Sequence, residues 1–426
     1  MNKIIYSFII IPFFLSCTSE KKTAVGGSAE VVEENNKVIN IDDAFKDIRE
    51  IRLSEIADSI SFLPLETTQA GLVSNIEYNF NFTPFYIIYY SGIFDWTGKF
   101  RGNIVKRGQG PYEEPESGKL IFHNNHFYSK GSKLIEYDHT GTPTGKTRRL
   151  YESRTFSDKD ELREGIEFFN AGKNLAVYDY PNRIYFINTD FEIISSRLVV
   201  ESDSTNKRGY ITGNNFISYY KDKTLFYNYM NDTIFYVTDD GLEPQWIVNF
   251  TLEQRLSTEV LLIPDKIFRD EEIKILSSGS RNFENARGVL LFDNKHITRG
   301  VFETDKYIIF RIQELTHLAK ARGKKEKAPY IVIFDKSILK TFRVKGDGFV
   351  DDLTGFAGMN GKNFFFPSKG IIDEKMVHII WPFEILDFIE ESQKAGRLVN
   401  PRLLEFSKTL KPDDNPVLVL VHLKRK

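Results

Sequence analysis

The sequence predicts an all-β protein: a six-bladed β-propeller of four-stranded antiparallel blades, with a few inserted helices. The first observation behind this prediction is a strand-turn-strand pattern that recurs roughly every fifty residues, a period typical of propeller blades. The second is an aromatic content of 14%, mostly Phe and Tyr, which are enriched in strands. The third is an apolar, β-rich segment at the C-terminus, Asn415–Leu423, which would close a ring of blades.

Each repeat places Asp, Asn, Thr or Gly between two apolar segments, the composition of a tight turn between antiparallel strands. The copies are Phe94–Phe100, Glu136–Gly141, Phe186–Phe191, Tyr236–Gly241 and Ile333–Ser337. Successive copies are about one blade length apart, except that the 96 residues from Asp239 to Asp335 are close to two blade lengths. Counting turns and strands then gives six blades.

Candidate inner strands lie between these turns, and several of them follow a small polar turn. They are Asn174–Tyr178, Asn215–Tyr220, Tyr307–Ile312 and Lys362–Phe366. Helical patterns interrupt the later part of the chain, and we interpret them as insertions between strands rather than as a separate domain. They span about Leu252–Ser277, Gln313–Arg322 and Phe383–Gln393.

The C-terminal segment is expected to pair with an N-terminal strand near Ile60–Leu65. Such a pair would complete one blade from both ends of the chain and remove an exposed sheet edge. The alternative is a strand that belongs wholly to the last blade and has no role in closure.

The N-terminus has the pattern of a bacterial lipoprotein signal. Lys3 is followed by the apolar stretch Ile4–Leu15, which is too short to span a bilayer but suits a secretory signal peptide, and Ser16 precedes Cys17 as in a lipobox. We predict a signal peptide over residues 1–16, a lipid-anchored flexible tether over 17–37 and the propeller domain over 38–426. The alternative is an ordinary signal peptide with an incidental cysteine.

Cys17 is the predicted lipid-attachment residue, and it is the only cysteine in the chain. The mature body therefore has no intramolecular disulfide and no thiol for catalysis. The predicted location is the bacterial cell envelope, with the lipid in the outer membrane. Thr18–Lys22 contains one acidic residue and lacks an acid-rich export cluster, which favours the periplasmic face over the cell surface.

The charge balance argues against a nucleic-acid partner. The whole chain has a formal net charge of −2, and removing residues 1–16 deletes one lysine and makes it −3. Proteins that bind nucleic acid normally carry a strong basic excess. The strongest basic run, Lys320–Lys327, is interpreted as a solvated insertion, with contact to lipid headgroups or an acidic partner as the alternative.

Five motifs in this order resemble those of a family of six-bladed β-propeller lipoproteins from Bacteroides-type bacteria, similar in architecture to NHL propellers. They are Ile56–Thr68, Phe94–Phe100, Arg107–Pro111, Asn231–Tyr236 and Asp414–Val419. The resemblance covers nearly the whole mature chain. It implies a propeller scaffold of largely unknown function and does not by itself imply a chemistry.

The loop Lys106–Pro111 offers the candidate ligand-binding residues. Arg107 would pair with an anionic group, Gln109 would form a hydrogen bond with it, and Tyr112 offers a stacking face. The loop lacks the Gly-Lys-Ser/Thr ending and the following helix of a phosphate-binding loop. The alternative interpretation is a structural loop between blades.

No catalytic residue, metal site or cofactor is predicted. His123 and His126 are closely spaced, but they bracket Asn124-Asn125, which is typical of a hairpin turn. A metal site would need further ligands from other blades. Asp351-Asp352 and Asp413-Asp414 lack the spaced oxygen ligands of a calcium loop.

The predicted function is that of a monomeric, envelope-anchored binding or scaffold module. Loops around the mouth of a central channel would hold a glycan, a peptide or a protein partner. One alternative is a propeller hydrolase or lyase with a channel-centred metal site. Another is a structural accessory that docks envelope proteins through its inserted helices.

Overall fold

The computed structural model describes residues 37–76, 80–114, 119–131, 133–150, 167–179, 183–199, 215–228, 231–250, 295–315, 329–346, 348–356 and 364–425. The chain divides into two compact units, Met1–Asn36 and Lys37–Lys426, and the second contains every residue described here. The predicted signal peptide, Cys17, the helix predicted over Leu252–Ser277 and the basic run therefore lie outside the described residues.

Six antiparallel sheets form the blades of a β-propeller, as the sequence predicts. Blade 1 contains Phe80–Phe82, Tyr86–Tyr89, Gly92–Asp95 and Phe100–Asn103. Blade 2 contains Lys119–His123, His126–Lys130, Lys133–Tyr137 and Pro143–Arg149. Blade 3 contains Glu167–Ala171, Asn174–Asp179, Arg183–Ile187 and Ile193–Leu198. Each set runs from the innermost to the outermost strand.

The other three blades follow the same plan. Blade 4 contains Asn215–Tyr220, Lys223–Asn228, Thr233–Val237 and Leu242–Asn249. Blade 5 contains Lys295–Glu303, Tyr307–Leu315, Tyr330–Asp335 and Lys340–Val344. Blade 6 contains Gly370–Ile372, Lys375–Ile380, Val417–Leu423 and Ala57–Pro64.

The ring closes in blade 6, where strands from the two ends of the chain meet. Val417–Leu423 pairs antiparallel with Ala57–Pro64, and Phe62 lies opposite Val419. This confirms the predicted closure and excludes a last blade built wholly from the C-terminal segment. The outermost strand of blade 6 thus comes from the N-terminal part of the propeller.

The predicted turns join the third and fourth strands of blades 1 to 5. In blade 1 the Asp95 carboxylate accepts hydrogen bonds from Thr97 N at 2.8 Å and Lys99 N at 3.2 Å. Asp138 and Asn188 hold the equivalent turns of blades 2 and 3 in the same way. A short polar side chain that satisfies the turn amides explains why Asp and Asn mark these positions.

The interpretation of the last interval as two blades is wrong. Asp239 follows the third strand of blade 4 and Asp335 ends the third strand of blade 5, so the two residues belong to consecutive blades. The extra length lies between Asn249 and Lys295, in the connection from blade 4 to blade 5. Blade 6 has no equivalent turn because its third strand, Val417–Leu423, and its fourth strand, Ala57–Pro64, come from opposite ends of the propeller sequence.

Four predicted elements differ from the structure in position, type or extent. Asn215–Tyr220 is an innermost strand, but Asn174–Tyr178 and Tyr307–Ile312 lie in second strands. Gln313 continues a strand that ends at Leu315, so the helix predicted from this residue is wrong in its described part. Pairing with the neighbouring strand overrides the local helical pattern there. Lys362 and Asn363 lie outside the described residues, and the next two residues of the predicted strand, Phe364–Phe365, pair with Phe349–Val350 outside the blades.

Helices Pro382–Lys394 and Pro401–Ser407 lie between the second and third strands of blade 6, so the helical insertion predicted at Phe383–Gln393 is confirmed. Proline starts the first helix, and the Glu384 side chain accepts a hydrogen bond from Trp381 N at 2.7 Å. Phe406 stacks on Phe62 of the outermost strand with ring centroids 5.3 Å apart. The helices therefore pack against blade 6 itself. Shorter helices are Ile41–Phe45, Leu53–Ile56 and Gln69–Gly71.

Two short N-terminal strands extend the outer edges of blades 4 and 5. Val38–Asn40 pairs parallel with Leu242–Asn249, and Ile48–Arg49 pairs parallel with Lys340–Val344. We call Val38–Arg49 the N-terminal belt. It covers two sheet edges that would otherwise present unpaired backbone groups. The sequence analysis does not predict it, because such short strands carry too weak a pattern.

The hydrophobic core is divided among the interfaces between neighbouring blades. Between blades 4 and 5, for example, Trp246 packs edge-on against Phe334 with ring centroids 5.3 Å apart. The interface between blades 5 and 6 includes Ile309, Ile333 and Val421, all fully buried. Apolar side chains on both faces of each sheet explain the high aromatic and aliphatic content of the chain.

Candidate functional site

The connections between strands alternate between two ends of each blade, because all neighbouring strands are antiparallel. One end carries the turns between first and second strands and between third and fourth strands. We call it the short-turn end, and its connections in blade 2 are Asn124-Asn125 and Asp138–Thr142. The opposite end, which we call the long-connection end, carries the links between blades and the helical insertion of blade 6.

Polar side chains on the innermost strands link neighbouring blades around the central axis. Asn81 of blade 1 donates to Leu120 O at 3.4 Å, and Asn170 of blade 3 donates to Phe122 O at 3.3 Å. In blade 4, Ser218 Oγ donates to Val301 O at 2.8 Å. These bonds satisfy carbonyls at the sheet edges that face the channel.

At the short-turn end, blades 4, 5 and 6 are joined by a network of charged groups. Asp305 accepts hydrogen bonds from Tyr220 Oη and Lys221 Nζ, each at 2.8 Å, and its backbone N–H donates to Glu374 Oε1 at 2.9 Å. The hydrogen bond from Lys221 and then that from Tyr220 lower the pKa of Asp305. Burial raises the pKa of Glu374.

The carboxylate of Glu303, in the same region, also has hydrogen-bond donors on neighbouring side chains. Glu303 is 5% exposed and accepts hydrogen bonds from Tyr236 Oη at 2.9 Å and Lys336 Nζ at 3.0 Å. Both partners lie next to the innermost strand of blade 5, one in blade 4 and one in the turn of blade 5. Acids and bases are balanced here, so we assign this network to holding the blades together.

Two arginines of blade 5 have a different environment. Arg299 is the extra residue of a β-bulge in the innermost strand, where the register shifts between Thr298 and Gly300. Arg311 lies on the second strand directly opposite Gly300. A bulge re-aims its side chain, and Arg299 Nε donates to Gln313 Oε1 at 3.0 Å. Both arginines therefore lie on the side of blade 5 that faces blade 6.

The Arg311 guanidinium reaches the connection that enters blade 6. Its Nη1 donates to Ser368 O at 3.0 Å, and the group lies 5.2 Å from the centre of the Phe366 ring. Its Nε is buried and has no hydrogen-bond partner in the described structure. Burial, followed by the positive charge of Arg299, lowers the pKa of Arg311 to about 10.

The neighbouring histidine does not supply a negative counter-charge. Ser368 Oγ and His378 Nδ1 are 2.7 Å apart. Burial, followed by the charge of Lys369, lowers the pKa of His378 to about 4, so this imidazole is neutral near pH 7. No carboxylate of the described residues forms an ion pair with Arg311. Within the described residues, the contacts of the Arg311 guanidinium are therefore the Ser368 carbonyl and the Phe366 ring.

The sequence analysis missed Arg299 and Arg311. The one available signal is Arg311 within Tyr307–Ile312, a strand that is otherwise apolar or aromatic. A single arginine in such a segment indicates that its charged side chain lies at the interface between two blades. Ser368 is distant from Arg311 in sequence, and the bulge at Arg299 is a local change in strand register. A pattern of hydropathy records neither feature.

The predicted ligand-binding loop lies in the connection from blade 1 to blade 2, at the long-connection end. Arg107 and Gln109 are exposed, whereas Tyr112 is half-buried. The Tyr112 carbonyl accepts a hydrogen bond from Tyr137 Oη at 3.2 Å, and Gly110 N donates to Glu113 Oε2 at 3.0 Å. The loop is thus fixed to blade 2, as expected if it is a structural loop between blades. The side chains of Arg107 and Gln109 are nevertheless exposed to solvent.

His123 and His126 lie opposite each other in the hairpin of blade 2. Asn124 and Asn125 form its turn with φ values of 45° and 63°, so the predicted hairpin is confirmed. His126 Nδ1 lies 2.9 Å from Asn124 O. Within the described ranges, no group of three or more His, Cys, Asp or Glu side chains has the arrangement of a metal site.

The fold defines a class: a six-bladed propeller whose short turns lie at one end and whose long connections lie at the other. A family model described as Domain of unknown function (DUF4934) matches residues 36–422, and the chain belongs to this family. No curated protein matches the chain in sequence. Over the described residues, no helix combines the length and apolar character needed to cross a membrane.

Solved structures share the architecture. An exported protein from Bacteroides fragilis is 18% identical with a TM-score of 0.61, and the match covers 91% of this chain and 99% of the other. BamB from Moraxella catarrhalis is 11% identical with a TM-score of 0.30, over 67% of this chain and 66% of the other. The first likeness shows the propeller fold, and the second is too low to support any argument.

Proposed function

We propose that this protein is a binding or scaffold module of the bacterial cell envelope that holds a glycan, peptide or protein partner at its long-connection end. The supporting observation is the asymmetry of the propeller. Its short-turn end consists of tight turns and matched ion pairs, whereas the links between blades, including the loop with the exposed side chains of Arg107 and Gln109, lie at the other end. Ligands of folds with a fixed scaffold are usually held by such variable connections.

The proposal includes Arg107, Gln109 and Tyr112 as contact residues. Arg107 and Gln109 project from a loop that is fixed by hydrogen bonds to blade 2, so a partner would meet a rigid backbone with accessible polar side chains. Preorganisation of this kind reduces the entropy lost on binding. The full chain, screened against envelope glycans and peptides, should yield a partner whose affinity depends on this loop.

The test compares two charge reversals. Arg107→Glu combined with Gln109→Ala should weaken binding of the partner found in the screen by about tenfold or more. The matched control is Lys99→Glu, an equally exposed change at the short-turn end, which should leave affinity unchanged. Equal losses in both variants, or a screen without any partner, would contradict the proposed function.

We also propose that Cys17 carries the lipid anchor, that the anchor lies in the outer membrane and that the propeller faces the periplasm as a monomer. The exported neighbour is compatible with an envelope location. Cys17→Ala should move the protein from the membrane fraction to the soluble fraction and abolish incorporation of labelled palmitate. Digestion by protease added to intact cells would place the domain at the surface instead.

The alternative of a hydrolase or lyase with a channel-centred metal has no specific support. It would need several ligating side chains that converge from different blades. The described residues contain no such group, and the histidines at 123 and 126 belong to one hairpin.

A further inference from the structure

We propose that the turn between the third and fourth strands of blade 5 is a membrane-contact site, in which Ile338 and Leu339 insert into the surface of a lipid bilayer. The inference rests on the proposed envelope location and lipid anchor, and it turns the short-turn end of blade 5 toward the membrane. The long-connection end would then remain open to a partner. Three observations support it: the exposure of the two side chains, their backbone conformation and the charges around them.

The tip of this turn exposes two large apolar side chains next to each other. Ile338 is 53% exposed and Leu339 is 69% exposed. The flanking residues Ser337 and Lys340 are exposed as well, so the pair lies on a projection. Single exposed apolar side chains are common on soluble proteins. An adjacent pair at the tip of a turn adds nothing to the core and is unfavourable in water.

The backbone of this turn differs from that of its equivalents. The residue in the left-handed region is Gly98 in blade 1 and Gly141 in blade 2, with φ values of 83° and 85°. Blade 3 has Phe191 there with a φ of 63°, and its buried ring packs against blade 2. Leu339 has a φ of 53° without such burial. Packing therefore gives no reason for a leucine at this place, and strained residues of this kind cluster at functional sites.

The base of the turn is longer than in blade 1 and is well fixed. Asp335 pairs with Lys340, so four residues form the turn, whereas the equivalent turn of blade 1 has three. Lys336 N donates to Lys306 O at 2.9 Å, and Ser337 N donates to Asp335 Oδ1 at 2.8 Å. An ordered base presents the apolar pair with a small loss of entropy on binding.

Positive charge borders the apolar pair. Lys340 directly follows it and is exposed, and Lys306 of the neighbouring turn is 39% exposed. The carboxylate at the base, Asp335, is buried and accepts the Ser337 hydrogen bond, and Lys306 Nζ lies 3.8 Å from it. Apolar side chains beside lysines suit the surface of a bilayer, where anionic headgroups lie above the acyl chains.

A bilayer suits this tip better than a protein partner does. Stable protein interfaces bury about 1,200 Å² or more around well-packed central pockets, far more than two side chains on a projecting turn supply. Insertion at a membrane surface needs less apolar area when a second attachment is present. With the lipid proposed at Cys17, the 20 residues to Lys37 keep the propeller within about 70 Å of the membrane. Weak insertion then becomes effective.

The experiment places one reporter at the tip. Cys17 is the only cysteine, so Cys17→Ala combined with Ser337→Cys gives the full chain a single thiol for an environment-sensitive NBD fluorophore. The matched control is Thr140→Cys in the same background, at an exposed residue of the equivalent turn in blade 2. Vesicles of phosphatidylethanolamine and phosphatidylglycerol should shift the emission of the tip label to the blue. Brominated acyl chains should quench the tip label at least about twofold more strongly than the control label.

Two matched double variants assign the insertion to the apolar pair. Ile338→Ser with Leu339→Ser should lower the ratio of inserted to free tip label by about tenfold. Ile194→Ser with Leu198→Ser removes the same two residue types, 46% and 53% exposed, from the outermost strand of blade 3. This control should leave insertion unchanged. All chains share one N-terminus, so a difference between them belongs to the propeller.

Leu339→Gly separates a membrane role from a structural one. Glycine tolerates a φ of 53°, so the thermal unfolding midpoint should stay the same or rise while insertion of the tip label falls. A leucine kept for stability would show the reverse, a lower midpoint with unchanged insertion.

No quenching of the tip label, equal quenching of both labels, or insertion that survives the double serine change would each overturn this inference. A shift that depends on protein concentration without vesicles would assign the tip to a second copy of the chain. A shift caused only by a protein from the screen would assign it to a protein contact. Either result would also overturn the inference.

The outcome is independent of the proposed anchor and partner. Quenching of the tip label in a protein whose Cys17 takes up no labelled palmitate would leave the membrane contact standing while the anchor fails. Palmitate incorporation, or a partner bound at the long-connection end, together with an unquenched tip label would have the opposite meaning.

Discussion

Single polar side chains fix the turns and connections of this propeller, and Asp95 shows how. Its carboxylate accepts hydrogen bonds from Thr97 and Lys99 and forms an ion pair with Arg101. Burial opposes ionisation, but these hydrogen bonds prevail and lower the pKa of Asp95 to about 2. Because the folded-state pKa lies below the ordinary value of 3.8, the ionised carboxylate stabilises the fold above pH 3.8.

We expect Asp95→Asn to lower the stability at pH 7 by about 1–2 kcal/mol, since the amide keeps one acceptor but loses the charge. The difference should shrink as the pH falls from about 4 toward the folded-state pKa of about 2, and it should be clearly smaller at pH 2.5 than at pH 7. Urea midpoints measured at pH 7 and pH 2.5 test this. Asn188 forms the same turn in blade 3, so the variant turn itself is compatible with the fold. A constant difference at both pH values would contradict the assignment.

Asn415 gives a structural reason for one of the motifs behind the family resemblance. Its Nδ2 donates to Glu66 O at 2.8 Å and Gly71 O at 2.7 Å, and its Oδ1 accepts from Val73 N at 2.9 Å. The side chain is 2% exposed. It ties the start of the closing strand to the connection from blade 6 to blade 1.

Asn415→Asp should destabilise the protein by about 3 kcal/mol at neutral pH, because a carboxylate faces two carbonyls that it cannot satisfy. Burial should raise the pKa of the new carboxyl, so the loss should shrink as the pH is lowered to 5. Thermal unfolding at the two pH values tests the expectation. The control is Asp414→Asn at the neighbouring position, which is half-buried, and this change should have little effect on stability.

At the scale of elements, the C-terminal strand Val417–Leu423 closes the ring of blades by pairing with Ala57–Pro64. Val421 lies in the C-terminal strand, pairs with Ile60 and is fully buried between blades 5 and 6. A charge at this position would enter an apolar interface and disturb pairing with the N-terminal strand. The matched position outside the interface is Arg425, which is exposed just beyond the strand.

We expect Val421→Asp to lower the free energy of unfolding by about 3–5 kcal/mol, a value typical of an unpaired charge placed in a core. Arg425→Asp should stay within about 0.5 kcal/mol of the unaltered protein. Chemical denaturation of both variants decides the point. Similar stabilities for the two variants would mean that the closing strand contributes little to the ring.

At the scale of the whole molecule, the N-terminal belt joins two neighbouring blades that lie far from it in sequence. Ile39, Ile41 and Ala44 are buried against blades 4 and 5, and the chain then continues into the outermost strand of blade 6. Three consecutive blades are thus held by one segment. Its removal would expose two outer sheet edges without altering any blade's own four strands.

We expect deletion of Val38–Arg49 to lower the thermal unfolding midpoint and to promote self-association through the uncovered edges. Size-exclusion chromatography and thermal unfolding provide the measurements. Ile41→Asp is the milder test, and Asp42→Asn next to it is the control. A truncated chain that remains monomeric with an unchanged midpoint would show that the belt is dispensable.

The amino-acid sequence by itself determined the propeller class, five turns and the closure of the ring, because each depends on local chemistry repeated along the chain. Turn residues such as Asp95 and Asp138 act on neighbouring amides, and Val417–Leu423 has the composition of a buried strand. Turns and strands of this kind can be predicted from neighbouring residues alone, without knowledge of contacts that are distant in sequence.

Only the tertiary structure decided the belt, the blade to which each strand belongs and the arginine pair. The connection between Asn249 and Lys295 is about as long as one blade, so the spacing of the turns alone cannot distinguish this insertion from an additional blade. Arg311 acquires its environment from the bulge at Arg299, 12 residues earlier in the chain, and from Ser368 in the connection that enters blade 6. These neighbours come together only when the strands pair and the blades pack, so no local pattern of the sequence records them.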